Sequence, residues 1–171
     1  MSYPLLNQPA VSTRRRQQLI WLNRWLSVAC AVALCHSFHW TWLCALTQRA
    51  NLALDSWFGV VMQPLTATTI EFHGVLYQYQ VSCTFADVWC GLIPLIWMRS
   101  KSVSWNVAWL AIWALGLFTF NIARLSLSDI LFAHGMSWDI AHSVLGGVCY
   151  YVVWLVAKPF VMANLQQPGE A

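Results

Sequence analysis

The chain has 171 residues, of which 59% are hydrophobic and only 9% are charged, and its formal net charge at pH 7 is +3. Soluble domains carry roughly 25% charged residues, so this composition excludes an ordinary soluble globule. The twelve Trp residues agree with a membrane protein, because Trp concentrates at membrane–water interfaces. At roughly 20 residues per spanning helix, a few spans fit and a large separate soluble domain does not. The lipid bilayer is therefore the expected surrounding. The small net charge says little about nucleic acid, and no nucleic-acid partner is expected.

The chain begins with a basic segment, residues 1–24, and continues into a first apolar stretch, residues 25–46, that only His36 and His39 interrupt. This stretch is longer than the roughly 7–15 apolar residues of a secretory signal peptide, so it predicts a retained spanning helix. The two histidines lie three residues apart, but no third ligand accompanies them. We therefore expect no metal and no other cofactor.

The following segment, residues 47–80, is too polar to span a membrane. Residues 50–62 are predicted to form an amphipathic helix at the interface, anchored by Trp57 and Phe58. Two short apolar runs, 70–72 and 75–81, then flank His73-Gly74, and the second run partly alternates apolar and polar residues. This pattern predicts a short β-hairpin on the outer membrane surface.

Three further spans are predicted at residues 81–98, 103–122 and 139–157, with a loop or interfacial segment at 125–138. The expected fold is thus an all-α membrane protein with about four transmembrane helices and a short hairpin on its outer face. The predicted domains are a cytoplasmic basic segment (1–24), one polytopic domain (25–158) and a cytoplasmic tail (159–171).

The basic residues predict the orientation. If both termini are cytoplasmic, seven of the nine basic residues lie on the cytoplasmic side, as the positive-inside rule requires. These seven are Arg14, Arg15, Arg16, Arg24, Arg99, Lys101 and Lys158. The expected location is therefore the inner (cell) membrane, crossed several times. Only Arg49 and Arg124 lie on the outer side.

Three predicted spans bring reactive side chains to the same outer layer. Cys83 begins the second span, Arg124 ends the third, and His142 lies one turn into the fourth. The nucleophile in thiol chemistry is the thiolate, which a neighbouring imidazolium or guanidinium favours. A histidine can protonate a leaving amine, and an arginine can stabilise an oxyanion. This combination is typical of a cysteine protease or transpeptidase.

Simpler interpretations of these residues stay open. A cysteine in an apolar helix is usually a small core residue, Arg124 could anchor a helix at the interface, and His142 could be a hydrogen-bonded core histidine. Ionisable groups at membrane depth nevertheless usually face a protein interior or a wet cavity. Asn121 lies one turn before Arg124 and could cap or bridge helices beside it.

Three short motifs in order carry a family resemblance: Val81-Ser82-Cys83-Thr84, Asn121-Ile122-Ala123-Arg124 and His142-Ser143-Val144-Leu145-Gly146. Together they resemble the exosortase/archaeosortase family of integral membrane cysteine transpeptidases, of which this chain would be a small member. The spacings of 41 residues from cysteine to arginine and 18 from arginine to histidine are similar to those of the family.

The resemblance implies a role for each matching residue. Cys83 would be the nucleophile, Arg124 the transition-state stabiliser and His142 the proton carrier, with Asn121 and Thr84 as supporting residues. The family often has Gly after the Cys-Ser/Thr pair, where this chain has Phe85. Because a Gly directly follows Cys90, Cys90 is a rival nucleophile.

The resemblance also implies the partners: exported surface proteins with a C-terminal sorting helix and a basic tail, cleaved on the outer (periplasmic) side of the membrane. The alternatives are a non-catalytic subunit of a membrane assembly, in which the polar residues only pack helices, and a thiol-redox membrane protein. A thiol-redox protein of this type requires paired cysteines in the outer loops, and the predicted outer loops contain no cysteine other than Cys83.

Overall fold

The structure is a computed structural model that describes residues 11–166. This part of the chain contains five α-helices and a three-stranded sheet. The helices are α1 (Val11–Ser37), α2 (Thr41–Trp57), α3 (Ala86–Ile96), α4 (Val103–Ala133) and α5 (Leu145–Gln166). The strands are β1 (Gln63–Pro64), β2 (Thr69–Phe72) and β3 (Val75–Gln78). A 3₁₀ turn (Val81–Thr84) precedes α3, and a π-helical turn (Ile140–Val144) precedes α5.

The all-α membrane fold class predicted from the sequence is confirmed. Three helical segments are long and apolar enough to cross a bilayer: Gln18–Ser37, Val103–Ala133 and Ile140–Asn164. Helix α3 is also apolar but shorter. The protein is therefore embedded in a membrane by its long apolar helices.

The two ends of the chain lie only partly within the described residues. Of the predicted basic segment 1–24, residues 1–10 lie outside them, and the rest belongs to α1. Helix α5 continues through Pro159 into the predicted tail, of which residues 167–171 again lie outside.

The first predicted span, residues 25–46, is wrong as a single helix. Helix α1 ends at Ser37, where the indole Nε1 of Trp40 donates a hydrogen bond to the carbonyl of Cys35 at 2.7 Å. Helix α2 then begins at Thr41 rather than near residue 50. One face of α2 is polar and buried inside the protein. A single helix that continued from α1 across the membrane would expose this face to lipid, which is unfavourable. The buried polar residues of α2 are Thr47, Gln48, Asn51 and Asp55.

The second predicted span, residues 81–98, is only partly an α-helix. It begins with the 3₁₀ turn, passes through Phe85 in the left-handed region (φ 56°), and continues as the 11 residues of α3. At 1.5 Å per residue, α3 is roughly 16 Å long, about half of the hydrocarbon thickness. The start of α3 lies within the protein, since Phe85 and Ala86 are both buried.

Residues 125–138, predicted as a loop or an interfacial segment, are not a loop for most of their length. Helix α4 runs without a break to Ala133, and Ser126, Ser128 and Asp129 are all buried. Among the polar residues that indicated a loop, Asp129 accepts a hydrogen bond from Asn51 of α2, and Ser128 donates to the carbonyl of Ala141 in the π-helical turn. In a helix every backbone group is paired within the segment. Ser128 and Asp129 find their partners on other elements, so the segment can stay helical.

The predicted hairpin is confirmed. Strands β2 and β3 pair antiparallel, with Phe72 opposite Val75 on either side of a His73-Gly74 turn. Both turn residues have positive φ, 51° and 76°, as the tight two-residue hairpin turns require. The structure adds the short strand β1 on the far side of β2.

The buried hydrophobic residues form two clusters. The bundle cluster joins α3, α4 and α5, and the cap cluster joins α2, the sheet and the last turns of α4. The bundle cluster consists of Phe85, Leu92, Leu95, Ile96, Leu110, Leu117, Cys149, Val153, Ala157 and Val161. The cap cluster consists of Cys44, Val60, Met62, Ile70, Phe72, Tyr79 and Leu125. The 3₁₀ turn connects the two, because Cys83 packs against the cap and Phe85 is buried in the bundle.

The opposite end of the bundle is closed by hydrogen bonds among three helices. The guanidinium of Arg24 in α1 donates to the carbonyl of Asn164 in α5 at 3.4 Å, and the amide of Asn164 donates to the carbonyl of Leu95 in α3 at 2.9 Å. Asn106, near the start of α4, donates to and accepts from the backbone of Met98 at 2.9 Å. The early part of α1 and the last turns of α3 and α5 therefore meet at the end of the bundle remote from the hairpin.

Candidate active site

Cys83 lies in a turn that its neighbours hold closed. Its backbone N–H donates to the carbonyl of Gln80 at 2.9 Å. The hydroxyl of Thr84 donates to the carbonyl of Val81 at 2.6 Å and accepts from the backbone N–H of Ala86 at 3.2 Å. Thr84, predicted as a supporting residue, therefore joins the Cys83 turn to the first turn of α3.

Asn121 connects this turn to α4. Its side-chain amide donates to the carbonyl oxygen of Cys83 at 2.6 Å, and its side chain is completely buried. A buried carbonyl without a partner costs free energy, so this bond fixes the position of the turn on α4. The contact joins two residues that are 38 positions apart and that the sequence predicted to lie at one site.

Arg124 lies one turn beyond Asn121 and is 95% buried, since only 5% of its surface is exposed. Its guanidinium carbon is 5.3 Å from the centre of the Phe85 ring, within the range of a cation–π interaction. On another side lies Gly146, where an added Cβ would be only 3.3 Å from Nη1. The Nε–H of Arg124 is buried and has no hydrogen-bond partner within residues 11–166.

His142 lies in the π-helical turn before α5. Its ring stacks on Trp138, with ring centres 4.8 Å apart and planes inclined by 17°. The hydroxyl of Ser128 lies 3.1 Å from the carbonyl oxygens of both Arg124 and Ala141, and so connects this turn to α4. The Nδ1 atom of His142 is buried and lacks a hydrogen-bond partner in the described part of the chain.

Cys83 and His142 line the same cavity, although they are 59 residues apart in the sequence. The cavity has a volume of about 170 Å³. Its remaining lining residues are Ile70, Tyr77, Gln78, Tyr79, Leu125, Asp129 and Trp138. Arg124 is not part of this lining, and its guanidinium packs against Phe85, two residues after Cys83, and Gly146, four residues after His142. The rival nucleophile Cys90 is half-buried in α3 and does not line the cavity.

Sequence reasoning missed an acidic residue of this cavity, Asp129. The side-chain amide of Asn51 donates to Asp129 at 2.8 Å and also donates to Asp55, so one amide bridges two carboxyl groups. Burial raises the pKa of Asp55 above its usual range. Asn51 and Asp55 are four residues apart, on one face of α2, as Thr47 and Asn51 are. The spacing of these polar residues indicates that α2 has a buried polar face. To pair that face with Asp129, one would also have to know that α4 stays helical as far as Asp129.

Aromatic residues form the wall of the cavity on the hairpin side. The ring of Tyr77 lies 4.2 Å from that of Trp138, and Phe132 packs edge-on against both. Burial raises the pKa of Tyr79 far above its usual range, with Asp129 as the next cause, so its phenol is neutral. The wall is thus uncharged and mostly apolar.

The described residues contain no group of three or more His, Cys, Asp and Glu arranged to hold a metal ion. Of the two histidines in the first apolar stretch, His36 approaches Asp87 of α3 at 3.7 Å. Neither His36 nor His39 lines the cavity.

Comparison with known proteins adds nothing to this geometry. No family model, curated protein or solved structure matches the chain. We therefore infer its function from the residues and the geometry of the cavity.

Proposed function

We propose that this chain is a membrane-embedded cysteine peptidase or transpeptidase of the exosortase/archaeosortase kind. Cys83 is the nucleophile, His142 the proton carrier and Arg124 the stabiliser of the oxyanion. The observation that carries the proposal is that Cys83 and His142 line one cavity, while the Arg124 guanidinium packs on Phe85, two residues after Cys83.

Several buried polar atoms at this site have no hydrogen-bond partner within residues 11–166, so a bound substrate could pair with them. A buried donor or acceptor without a partner costs about 1–3 kcal/mol, and buried polar groups are therefore nearly always paired. Four such atoms occur among the site residues, Tyr77 Oη, Asn121 Oδ1, Arg124 Nε and His142 Nδ1, and seven more occur elsewhere in the described residues. Two of the four belong to residues that the proposed chemistry needs, and a bound substrate would supply partners for them.

The proposed reaction has two steps. The Cys83 sulfur attacks a peptide carbonyl as His142 takes the thiol proton, and the oxyanion that forms is stabilised by the Arg124 guanidinium. His142 then gives the proton to the leaving amine, and a thioester remains on Cys83. An amine or water that attacks this thioester releases the new carboxyl end and restores the thiol.

The backbone at Phe85 supports the family resemblance at the position where the sequences differ. Phe85 follows the Cys83-Thr84 pair, where the family often has Gly, and its φ of 56° lies in the left-handed region. That region favours Gly and is uncommon for other residues. The position thus keeps a conformation that glycine adopts easily, although this chain fills it with a buried ring.

Gly146 supports the resemblance in a second way. It is the glycine of the His142 motif, and it leaves the space that the Arg124 guanidinium occupies, since an added Cβ would come within 3.3 Å. The second and third motifs are therefore in contact, which gives a physical reason for the glycine.

We infer that both termini are cytoplasmic and that the cavity opens on the outer side of the inner membrane. The bias of the basic residues supports this orientation, as does the end of the bundle where Arg24, Asn164 and Leu95 meet. The proposed substrates are exported proteins with a C-terminal hydrophobic helix and a basic tail, which the family resemblance implies.

The decisive experiment compares the C-termini of exported proteins in cells that produce the wild-type chain, Cys83→Ala or Cys90→Ala. We expect wild-type and Cys90→Ala cells to shorten the same exported proteins near their C-terminal helix, and Cys83→Ala cells to leave them intact. Immunoblots of the membrane fraction check that all three proteins insert equally. Identical C-termini in all three strains would refute the peptidase proposal, and loss in Cys90→Ala alone would make Cys90 the nucleophile.

The non-catalytic alternative has one observation in its favour. The bridge from Asn51 to Asp55 and Asp129 packs α2 against α4 and requires no chemistry. A purely structural role predicts that Cys83→Ala leaves every exported protein unchanged, so the same experiment decides between the two functions.

A further inference from the structure

We propose that strand β3 binds the substrate as an added β-strand, so that an extended peptide pairs with its free edge and leads into the cavity beside Cys83. The inference rests on the proposed function, since it takes Cys83 as the attacking group. It adds the way in which a peptide is recognised.

The pairing of the hairpin shows which backbone groups are free. Residues of an antiparallel strand alternate between those that bond to the partner strand and those that point away from it. Val75 closes the two-residue turn opposite Phe72, and the N–H of Tyr79 donates to the carbonyl of Thr68 at 2.8 Å. By this alternation the N–H and C=O groups of Leu76 and Gln78 point away from β2.

These groups remain unpaired within residues 11–166. Strand β3 is the last strand of the sheet, and neither Leu76 nor Gln78 has a backbone partner beyond the hairpin. Leu76 is 65% exposed and Gln78 is also exposed. Proteins usually protect such an edge, because it is a ready template for another strand.

The opposite edge of the sheet is protected. Strand β1 is only two residues long and contains Pro64, which has no N–H to donate. The side-chain amide of Gln48 also fixes α2 against this side of the sheet, because it donates to the carbonyls of Thr66 in the β1–β2 turn and Thr69 in β2, both at 3.1 Å. Only the β3 edge is therefore suited to pairing with a further strand.

The free edge leads directly to the candidate nucleophile. Tyr77, Gln78 and Tyr79 line the cavity together with Cys83. The chain then folds back, so that the N–H of Cys83 bonds to the carbonyl of Gln80, two residues past the end of the strand. A peptide paired with Leu76 and Gln78 would continue into the cavity that holds Cys83.

The expected ligand is an extended, uncharged peptide segment. Backbone hydrogen bonds of such an added strand supply affinity, and pockets for alternate side chains supply specificity. Here the aromatic pair of Tyr77 and Trp138, 4.2 Å apart, faces the cavity. Apolar or aromatic side chains at every second peptide position would pack on this pair.

The test uses affinity labelling of the full chain in lipid nanodiscs. The probe is iodoacetyl-Val-Thr-Val-amide, whose iodide the Cys83 thiolate displaces to form a thioether, and the reference reagent is iodoacetamide. A peptidyl chloromethyl ketone of the same sequence covers the opposite chain direction. Mass spectrometry of the Cys83 peptide gives the rate constant for each reagent.

We expect one of the peptide reagents to label Cys83 at least about tenfold faster than iodoacetamide, which is the effect of one or two net hydrogen bonds. Methylation of the probe's amide nitrogens should reduce its rate to that of iodoacetamide. Gln78→Pro, which removes the outward N–H but no bond of the hairpin, should do the same, whereas Gln78→Ala should keep the acceleration. Equal rates for the methylated and unmethylated probes would overturn the proposal, even if Gln78→Pro fails to fold.

A different measurement, the rate of labelling by iodoacetamide, tests the proposed catalytic function separately from strand pairing. If Cys83 is not activated by His142, the iodoacetamide rate will be the same in His142→Ala and in the wild-type chain. Acceleration by the unmethylated peptide would then still support strand pairing, and only the catalytic roles would be lost.

Discussion

Gly146 and Gly147 offer a direct test of whether the position of the Arg124 guanidinium matters. The two glycines are neighbours in the first turn of α5, so Ala at either position has nearly the same effect on helix propensity. An added Cβ at Gly146 would lie 3.3 Å from Arg124 Nη1, whereas one at Gly147 would have no neighbour within 4 Å. Gly147→Ala is therefore the matched control for Gly146→Ala.

The expected magnitudes follow from these distances. Replacing Gly by Ala inside a helix stabilises it by about 0.5–1 kcal/mol, and Gly147→Ala should gain this amount. At Gly146 the guanidinium has to move by a few tenths of an ångström, and it has little room because Arg124 is only 5% exposed and is covered by Phe85. Since a displacement of about 1 Å at a catalytic group can cost about 10²-fold in rate, we expect Gly146→Ala to slow processing by about three- to tenfold.

The assay measures stability and activity separately. Thermal unfolding of the purified proteins, followed by the fluorescence of the twelve Trp residues, reports stability. The initial rate at which shortened C-termini of exported proteins accumulate in cells reports activity. If Gly146→Ala and Gly147→Ala have the same stability and the same processing rate, the close approach of Gly146 to Arg124 has no functional meaning.

Four further substitutions test other parts of the site. Asn121→Ala should slow processing at least tenfold and lower the unfolding free energy by about 1–3 kcal/mol, because it leaves the Cys83 carbonyl unpaired. Asn106→Ala should cost a similar unfolding free energy but leave the processing rate unchanged, because its hydrogen bonds lie at the other end of α4. Arg124→Lys should slow processing by about tenfold or more while the protein still inserts, because Lys keeps the charge but loses the planar fork. Burial raises the pKa of Asp55 in the folded protein. The protonated carboxyl therefore contributes to the stability of the fold at low pH. This contribution is lost as the pH rises from about 4, the pKa of Asp in the unfolded chain, through the raised pKa. Melting curves at pH 5 and pH 8 should therefore differ less for Asp55→Asn than for the wild type, and an unchanged difference would contradict the assignment.

The features that the sequence predicted well are those that depend on local pattern or on the order of the spans. The hairpin followed from two apolar runs around His73-Gly74, because those turn residues tolerate positive φ. That Cys83 and His142 would lie near one another followed from topology alone, since each begins an apolar segment on the same predicted side of the membrane.

The features that the sequence did not predict depend on contacts between distant residues. Nothing in the composition near Trp40 marks the end of α1, which involves an indole bonded to the Cys35 carbonyl. The polar residues after Arg124 are typical of a loop, yet they are helical because Asp129 meets Asn51 from another helix. A polar residue that would predict a loop can therefore lie in a buried helix when another helix supplies its hydrogen-bond partner, and a single sequence does not show that partner.

The unbroken length of α4 sets the depth of the candidate site. Its 31 residues extend over roughly 46 Å, which exceeds the roughly 30 Å of hydrocarbon. The last nine residues of the helix, which lie beyond Arg124 and carry the cap, extend over roughly 14 Å. Because Leu125 and Asp129 of these turns line the cavity together with Cys83, the proposed peptidase would hold and cleave its peptide within this extension of α4.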